Sequence, residues 1–208
     1  MKRAITAVVG SLLFYVGMAV TPAFASAATF HQSVSKGAFA DAGFDSTHGC
    51  FEKFAFVQGD VGRIKITGKP TVQSDAVVFI SKVNNCTGTT LVEAFGVISP
   101  SSFQAAKDAS SATLTDTIPV FDDVSGTSFD VRVNMTWTNL DSTAKVSDVS
   151  HFKAPGFKEL DKFSGTAALE PVASGTIRAG ATNYSPAGSL VFADLVTNLK
   201  SSTLDISH

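Results

Sequence analysis

Two cysteines, four histidines and eighteen carboxylates are the side chains of this sequence that could do chemistry. Cys50 and Cys86 are the only thiols. In an oxidising compartment a bridge between them is the default. The other reading makes Cys50 a reactive thiol beside His48. Closeness in sequence is not the geometry a thiol–imidazole pair needs, and that reading leaves Cys86 without a role. His31, His48, His151 and His208 show no i, i+2 or i, i+4 spacing that would offer a metal two ligands from one face. HExxH, CxxC, P-loop and G-x-S-x-G patterns are absent. The SVSK stretch at Ser33–Lys36 has the S-x-x-K form of penicillin-recognising enzymes but none of the companion motifs.

Carboxylates remain. A glycosidase needs two of them facing each other across a sugar bond, about 5–10 Å apart. The glutamates are Glu52, Glu93, Glu159 and Glu170, and each stands in an ordinary strand-like or turn-like context. Asp122 and Asp123 with Asp130, or Asp141 with Asp148, could supply oxygen ligands to calcium, yet neither set follows the spaced D-x-D-x-D-G loop. Solvated surface acids are the plainer reading. The expectation is therefore no catalytic residue, no cofactor and no metal site, with Cys50 and Cys86 as the one covalent feature.

The elements that would position these groups begin after residue 27. Lys2 and Arg3 precede an apolar run, Ala4–Val20, closed by Pro22 and followed by small residues at Ala23, Ala25 and Ala27. That is the layout of a secretory signal peptide cleaved near Ala25 or Ala27. The run approaches the ~17–25 residues of a membrane span, but no basic flank follows it. Removing Lys2 and Arg3 turns sixteen basic residues into fourteen against eighteen acids, a formal charge of −4. The charges are spread along the sequence, so no basic patch is expected. Nucleic acid and membrane surfaces are then poor partners. No second apolar segment offers a stable membrane anchor. The expected location is outside the cytoplasm, extracellular or periplasmic, and the expected partner is an extracellular glycan or a protein.

Residues 28–208 read as one domain. Period-two alternation recurs in FEKFAFVQ, GRIKITG, SDAVVFISKV, TTLVEAFGV, SATLTDTIPVF, FDVRVNMTW, SGTIRAGAT and SLVFADLVTNL. Turn signals separate these runs at Gly59-Asp60, Gly68-Lys69-Pro70, Asn84-Asn85, Ser99-Pro100, Ser125-Gly126, Pro155-Gly156 and Pro186. Many short strands between such signals predict an all-β, antiparallel β-sandwich, with a barrel as the alternative. SDAVVFISKV is apolar in both phases and reads as a central strand. HFKAPGFKELDKFSGT reads as a hairpin turning at Pro155-Gly156, with a short helix from Phe157 as the competing form. SSFQAAKDASS is ambiguous. In FDVRVNMTW, Phe129, Val131, Val133, Met135 and Trp137 share one face, which assigns the single tryptophan to the core. The phenylalanines, seventeen in the full sequence, are expected as core filler.

CTGT at Cys86–Thr89, ATLTDTIPVFD at Ala112–Asp122, VNMTWT at Val133–Thr138 and TNYSP at Thr182–Pro186 resemble a loosely defined set of uncharacterised secreted bacterial proteins. In that set a glycine-containing turn follows the tryptophan, whereas NLDS follows it here. The resemblance covers roughly residues 75 to 200 and implies a secreted β-rich domain. It carries no activity, so no functional residue transfers. The expected function is a non-catalytic extracellular binding or structural protein. The alternatives are a polysaccharide hydrolase using a carboxylate pair and a calcium-stabilised surface protein.

Overall fold

Where alternation runs through the described residues, the chain is extended. The computed structural model describes residues 29–65, 71–154 and 157–207, and no helix occurs among the described residues. The strands are β1 (Thr29–His48), β2 (Phe51–Lys65), β3 (Thr71–Asn84), β4 (Thr89–Ile98), β5 (Gln104–Ala105) and β6 (Ser111–Asp122). They continue as β7 (Thr127–Asn139), β8 (Thr143–Ala154), β9 (Phe157–Ala168), β10 (Pro171–Ala179), β11 (Thr182–Asn183) and β12 (Leu190–Ser207). Residues 1–28, which include the expected leader, lie outside the described part, as does the Gly68–Pro70 turn. No helix among the described residues is long and apolar enough to cross a membrane.

The strands form one antiparallel sheet in the order β11-β10-β7-β6-β4-β3-β2-β1-β12-β9-β8, with β5 beside β6. Its ends do not pair, so the alternative of a closed barrel is not realised. The sheet instead folds over on itself. β6 holds β4 by only two residue pairs, Ala94 with Asp122 and Phe95 with Phe121. Beyond that joint the β6-β7-β10 part lies over the β4-β3-β2-β1-β12 part. The indole Nε1–H of Trp137 on β7 crosses between them and donates to the Asp41 carbonyl on β1 at 2.7 Å. Lys53 Nζ on β2 reaches the Asn183 carbonyl on β11 at 3.0 Å.

The two inner faces are unequal, and that inequality fills the core. One presents Ala40, Ala42, Ala55, Val57, Ala76 and Val78, and the other Leu114, Ile118, Val131, Val133, Met135 and Trp137. Small residues on one layer make room for large ones on the other, which is how an interior reaches close packing. Trp137 is fully buried, in phase with its strand neighbours as the alternation requires. Phe103 enters from the β4–β6 connection, 3% exposed, and meets Trp137 edge-on with ring centroids 6.3 Å apart. It rests on Gly59, where a Cβ would lie 2.3 Å from the phenylalanine ring. A second, smaller cluster of Phe39, Ala167 and Val196 forms where β9 joins β12 and β1.

Four expectations change against this architecture. Gly59-Asp60 is not a turn: FEKFAFVQ and GRIK belong to one strand, and Gly59 is there for the Phe103 ring. β1 was not foreseen, because its alanines, glycines and serines carry little strand propensity. Its pairing with β2 and β12 makes it a strand. The ambiguous SSFQAAKDASS becomes the two-residue β5 and turns after a cis Ser99–Pro100 bond. Finally, the phenylalanines are mostly not core filler. Among the described residues the main core takes only Phe44 and Phe103 as fully buried rings, and the second cluster takes Phe39. Other readings hold. β8 and β9 pair up to Ala154–Phe157, as the hairpin reading requires, with residues 155 and 156 themselves outside the described part. β3 lies between β2 and β4 as a central strand.

Candidate functional site

The rings missing from the core stand on the outer face of the β12-β1-β2-β3-β4 layer. Ala40, Ala42, Ala55, Val57, Ala76 and Val78 point inward, so alternation turns Asp41, Gly43, Phe54, Phe56, Val77 and Phe79 outward. Register then does the rest. Phe192 lies opposite Gly43, Gly43 opposite Phe56, Phe56 opposite Phe79, Phe79 opposite Phe95, and Phe95 opposite Phe121. Five phenylalanines thus cross six strands in one row, interrupted only by a glycine. At Gly43 a Cβ would sit 2.2 Å from the Phe192 ring, so the absent side chain lets Phe192 lean across β1. Its centroid comes 6.3 Å from that of Phe56, and Phe54 lies 6.2 Å from Phe79. Both distances are within the range of favourable ring pairs. Phe95, Phe121 and the neighbouring Val97 are about half exposed, at 49%, 50% and 46%. An outer sheet face is ordinarily polar, and a contiguous apolar row on one marks an interaction surface.

Acids border the row on both sides. Asp194, Asp41, Asp60 and Asp75 run along one flank, and Asp45 and Glu93 stand on the other. No lysine or arginine occupies an outward position of these strands between the two flanks. Asp75 accepts a hydrogen bond from Gln73 Nε2 at 2.7 Å. Asp41 and Asp194 are direct cross-strand partners. Burial raises the Asp194 carboxyl above the usual range, and its hydrogen bond with Asp41 draws it partly back. The two cannot work as a glycosidase pair. Asp41 is fully buried, so a sugar bond cannot be placed between the two carboxyls.

The other sequence candidates are dispersed. Cys50 and Cys86 are bonded to each other, which removes the reactive-thiol reading and staples the β1–β2 turn to the β3–β4 turn. His48 and His151 are exposed, and His31 lies on β1. Glu52 accepts from Asn85 Nδ2 at 2.7 Å, Glu93 and Glu170 are exposed, and Glu159 belongs to β9. Asp122 is committed to its own turn. It accepts from Ser125 Oγ at 2.7 Å and from the Glu93 and Val124 N–H groups, and the Ser125 bond foremost holds its carboxyl below the usual range. Asp130 stands apart on the outer face of β7. Among the described residues no three metal-ligating side chains converge. Ser33 and Lys36 both belong to β1.

The expectation of dispersed basic charge does not hold. Lys36, Arg63, Lys107 and Lys200 surround one groove. The opposite outer face, on β6, β7 and β10, carries a shallow depression where Arg132 and Arg178 stand with Asp116, Thr115, Thr117 and Asn134. Signals for the phenylalanine row were present in FEKFAF and VVF, but identifying which phase is outward requires knowing which sheet covers which. No protein-family model and no curated protein matches this sequence.

Proposed function

We propose that this protein is a non-catalytic binding or structural module of an oxidising, extracytoplasmic compartment, and that its contact surface is the phenylalanine row with its acidic borders. The single observation that carries this is the row itself: five rings in cross-strand register on one outer face, with Phe95 and Phe121 half exposed at its β4–β6 end. The partner this surface fits is a protein segment with apolar side chains flanked by lysine or arginine. Such a segment buries the rings and faces the exposed Asp45 and Glu93, whose complementary charge steers and orients it. Phenylalanine lacks the polar tip that helps tyrosine and tryptophan hold sugars, which favours a protein over a glycan. The Cys50–Cys86 bond and the leader-like start support an extracytoplasmic setting.

The test is a series of thermal melts of the oxidised protein with a basic amphipathic Leu/Lys peptide and its acidic Leu/Glu counterpart. A ligand at a hundred times its dissociation constant adds about 2.7 kcal/mol, which for a domain of this size raises Tm by roughly 5–10 °C. The basic peptide should produce that rise, the acidic one should not, and Phe95→Ser/Phe121→Ser should abolish it. Equal responses to the two peptides, or no response, would remove the proposal.

A further inference from the structure

The basic groove lies away from the phenylalanine row, on the inner face of the sheet where β1, β2 and β12 run on past the sandwich. Lys36 pairs directly with Lys200 on one side and with Arg63 on the other. Three cations therefore stand in one cross-strand row, an arrangement that like-charge repulsion opposes. Lys107 faces them from the β5–β6 connection. Its position is built. Thr197 Oγ1 and Asn198 Nδ2 both donate to the Lys107 carbonyl at 2.8 Å, Thr197 is 1% exposed, and Ala109 of the same connection is buried in the core. Asn198 adopts φ 50° at a register shift of β12 to make this contact, a conformation asparagine tolerates better than most residues. The groove encloses about 430 Å³. No acid and no aromatic residue lines it. The carboxylate of Asp108, next to Lys107, is turned to the Ser110 N–H at 3.1 Å. Among the described residues none of the four cationic side chains makes an ion pair or hydrogen bond.

We propose that this groove binds a linear acidic glycan, a chain with one carboxylate per sugar. Adjacent strands are ~4.8 Å apart, so the row offers a positive charge every ~4.8 Å over about 10 Å. That repeat is comparable to the length of one sugar unit in an extended uronate chain. Single-stranded nucleic acid, the other linear polyanion, is normally held by aromatic stacking platforms, and this groove has none. An anionic membrane presents a flat surface, whereas these cations line a concavity closed on one side by the Lys107 connection.

The test is fluorescence anisotropy of the oxidised protein with labelled deca-galacturonate, set against a neutral cello-oligosaccharide, a single-stranded DNA of equal charge and phosphatidylserine vesicles. The expected result is galacturonate binding that weakens with salt, with no binding of the neutral chain. Lys36→Ser/Lys200→Ser should reduce affinity tenfold or more, while Lys162→Ser on β9 leaves it unchanged. Lys107→Ser keeps the backbone carbonyl that anchors its connection, so it serves if the double variant does not fold, and it too should weaken binding several-fold. Unchanged affinity in these variants, or no galacturonate binding at low salt, would overturn the site. DNA or vesicles bound more tightly than galacturonate through the same lysines would overturn the ligand class.

Discussion

Trp137→Phe tests the contact that holds the folded-over sheet together. The substitution keeps a ring in the same strand phase but deletes the N–H that bridges β7 to the Asp41 carbonyl on β1. Because Trp137 is fully buried, no water replaces the lost donor, and a buried acceptor left without one costs about 1–3 kcal/mol. The smaller ring also gives up on the order of 50 Å² of apolar contact, or ~1 kcal/mol. Part of the edge-on contact with Phe103 goes too, at some fraction of its ~0.5–1.5 kcal/mol. The sum is about 2–4 kcal/mol, which for a chain of this length lowers Tm by roughly 5–15 °C. Denaturant unfolding followed by far-UV circular dichroism measures it directly, provided the slope with denaturant is the same for both proteins. A loss below about 0.5 kcal/mol, the range of an ordinary surface substitution, would refute a structural role for this hydrogen bond. Trp137 is the only tryptophan, so its emission also reports the site. Blue-shifted fluorescence insensitive to iodide is expected in the native state.

Two further outcomes follow from named groups. Burial raises Asp194, so between the unfolded carboxylate value of about 3.9 and the higher folded value the native state holds a proton that the unfolded chain releases. This contribution is fully present below the unfolded value and disappears as pH climbs through the folded one. Stability should therefore decline from pH 4 towards neutrality by about 1.4 kcal/mol per unit of elevation. Asp194→Asn should flatten that decline and be the more stable protein at pH 7; a steeper decline in the variant would contradict the assignment. The Cys50–Cys86 bond spans 36 positions and restricts the unfolded chain by roughly 3–4 kcal/mol. Cys50→Ala/Cys86→Ala should melt about 8–15 °C lower, and a drop under about 3 °C would mean that the β2–β3 pairing already closes this loop.

The phenylalanine row and the basic groove have a common origin in register. Neither consists of neighbours in sequence: the row draws on residues 56, 79, 95, 121 and 192, and the groove on 36, 63, 107 and 200. A single-residue slip of any one of these strands would send its contribution to the opposite face. The alternating stretches that place these residues are therefore also what keeps the surface features intact. The buried acid pair shows the same dependence, since Asp41 and Asp194 meet only because β1 pairs with the last strand of the chain.

What could be read along the chain was local. Alternation marked β3, β4, β6, β7, β10 and the first part of β12, and it put Trp137 with Val131, Val133 and Met135 on an inward face, because strand periodicity depends only on a residue and its near neighbours. The two cysteines pointed to their bond by elimination. Gly59 misled, since a glycine that accommodates a ring from elsewhere looks locally like one that makes a turn. β1 escaped notice, since its strand character comes from its two partners and not from its own residues. Which face of each strand is covered was decided only in the folded sheet. The alanines of β1, β2, β3 and β4 turn inward to receive Trp137, Phe103 and Leu114, leaving no interior volume for Phe54, Phe56, Phe79, Phe95 and Phe192. Side-chain volume matched across two layers put those rings outside, and strand register lined them up.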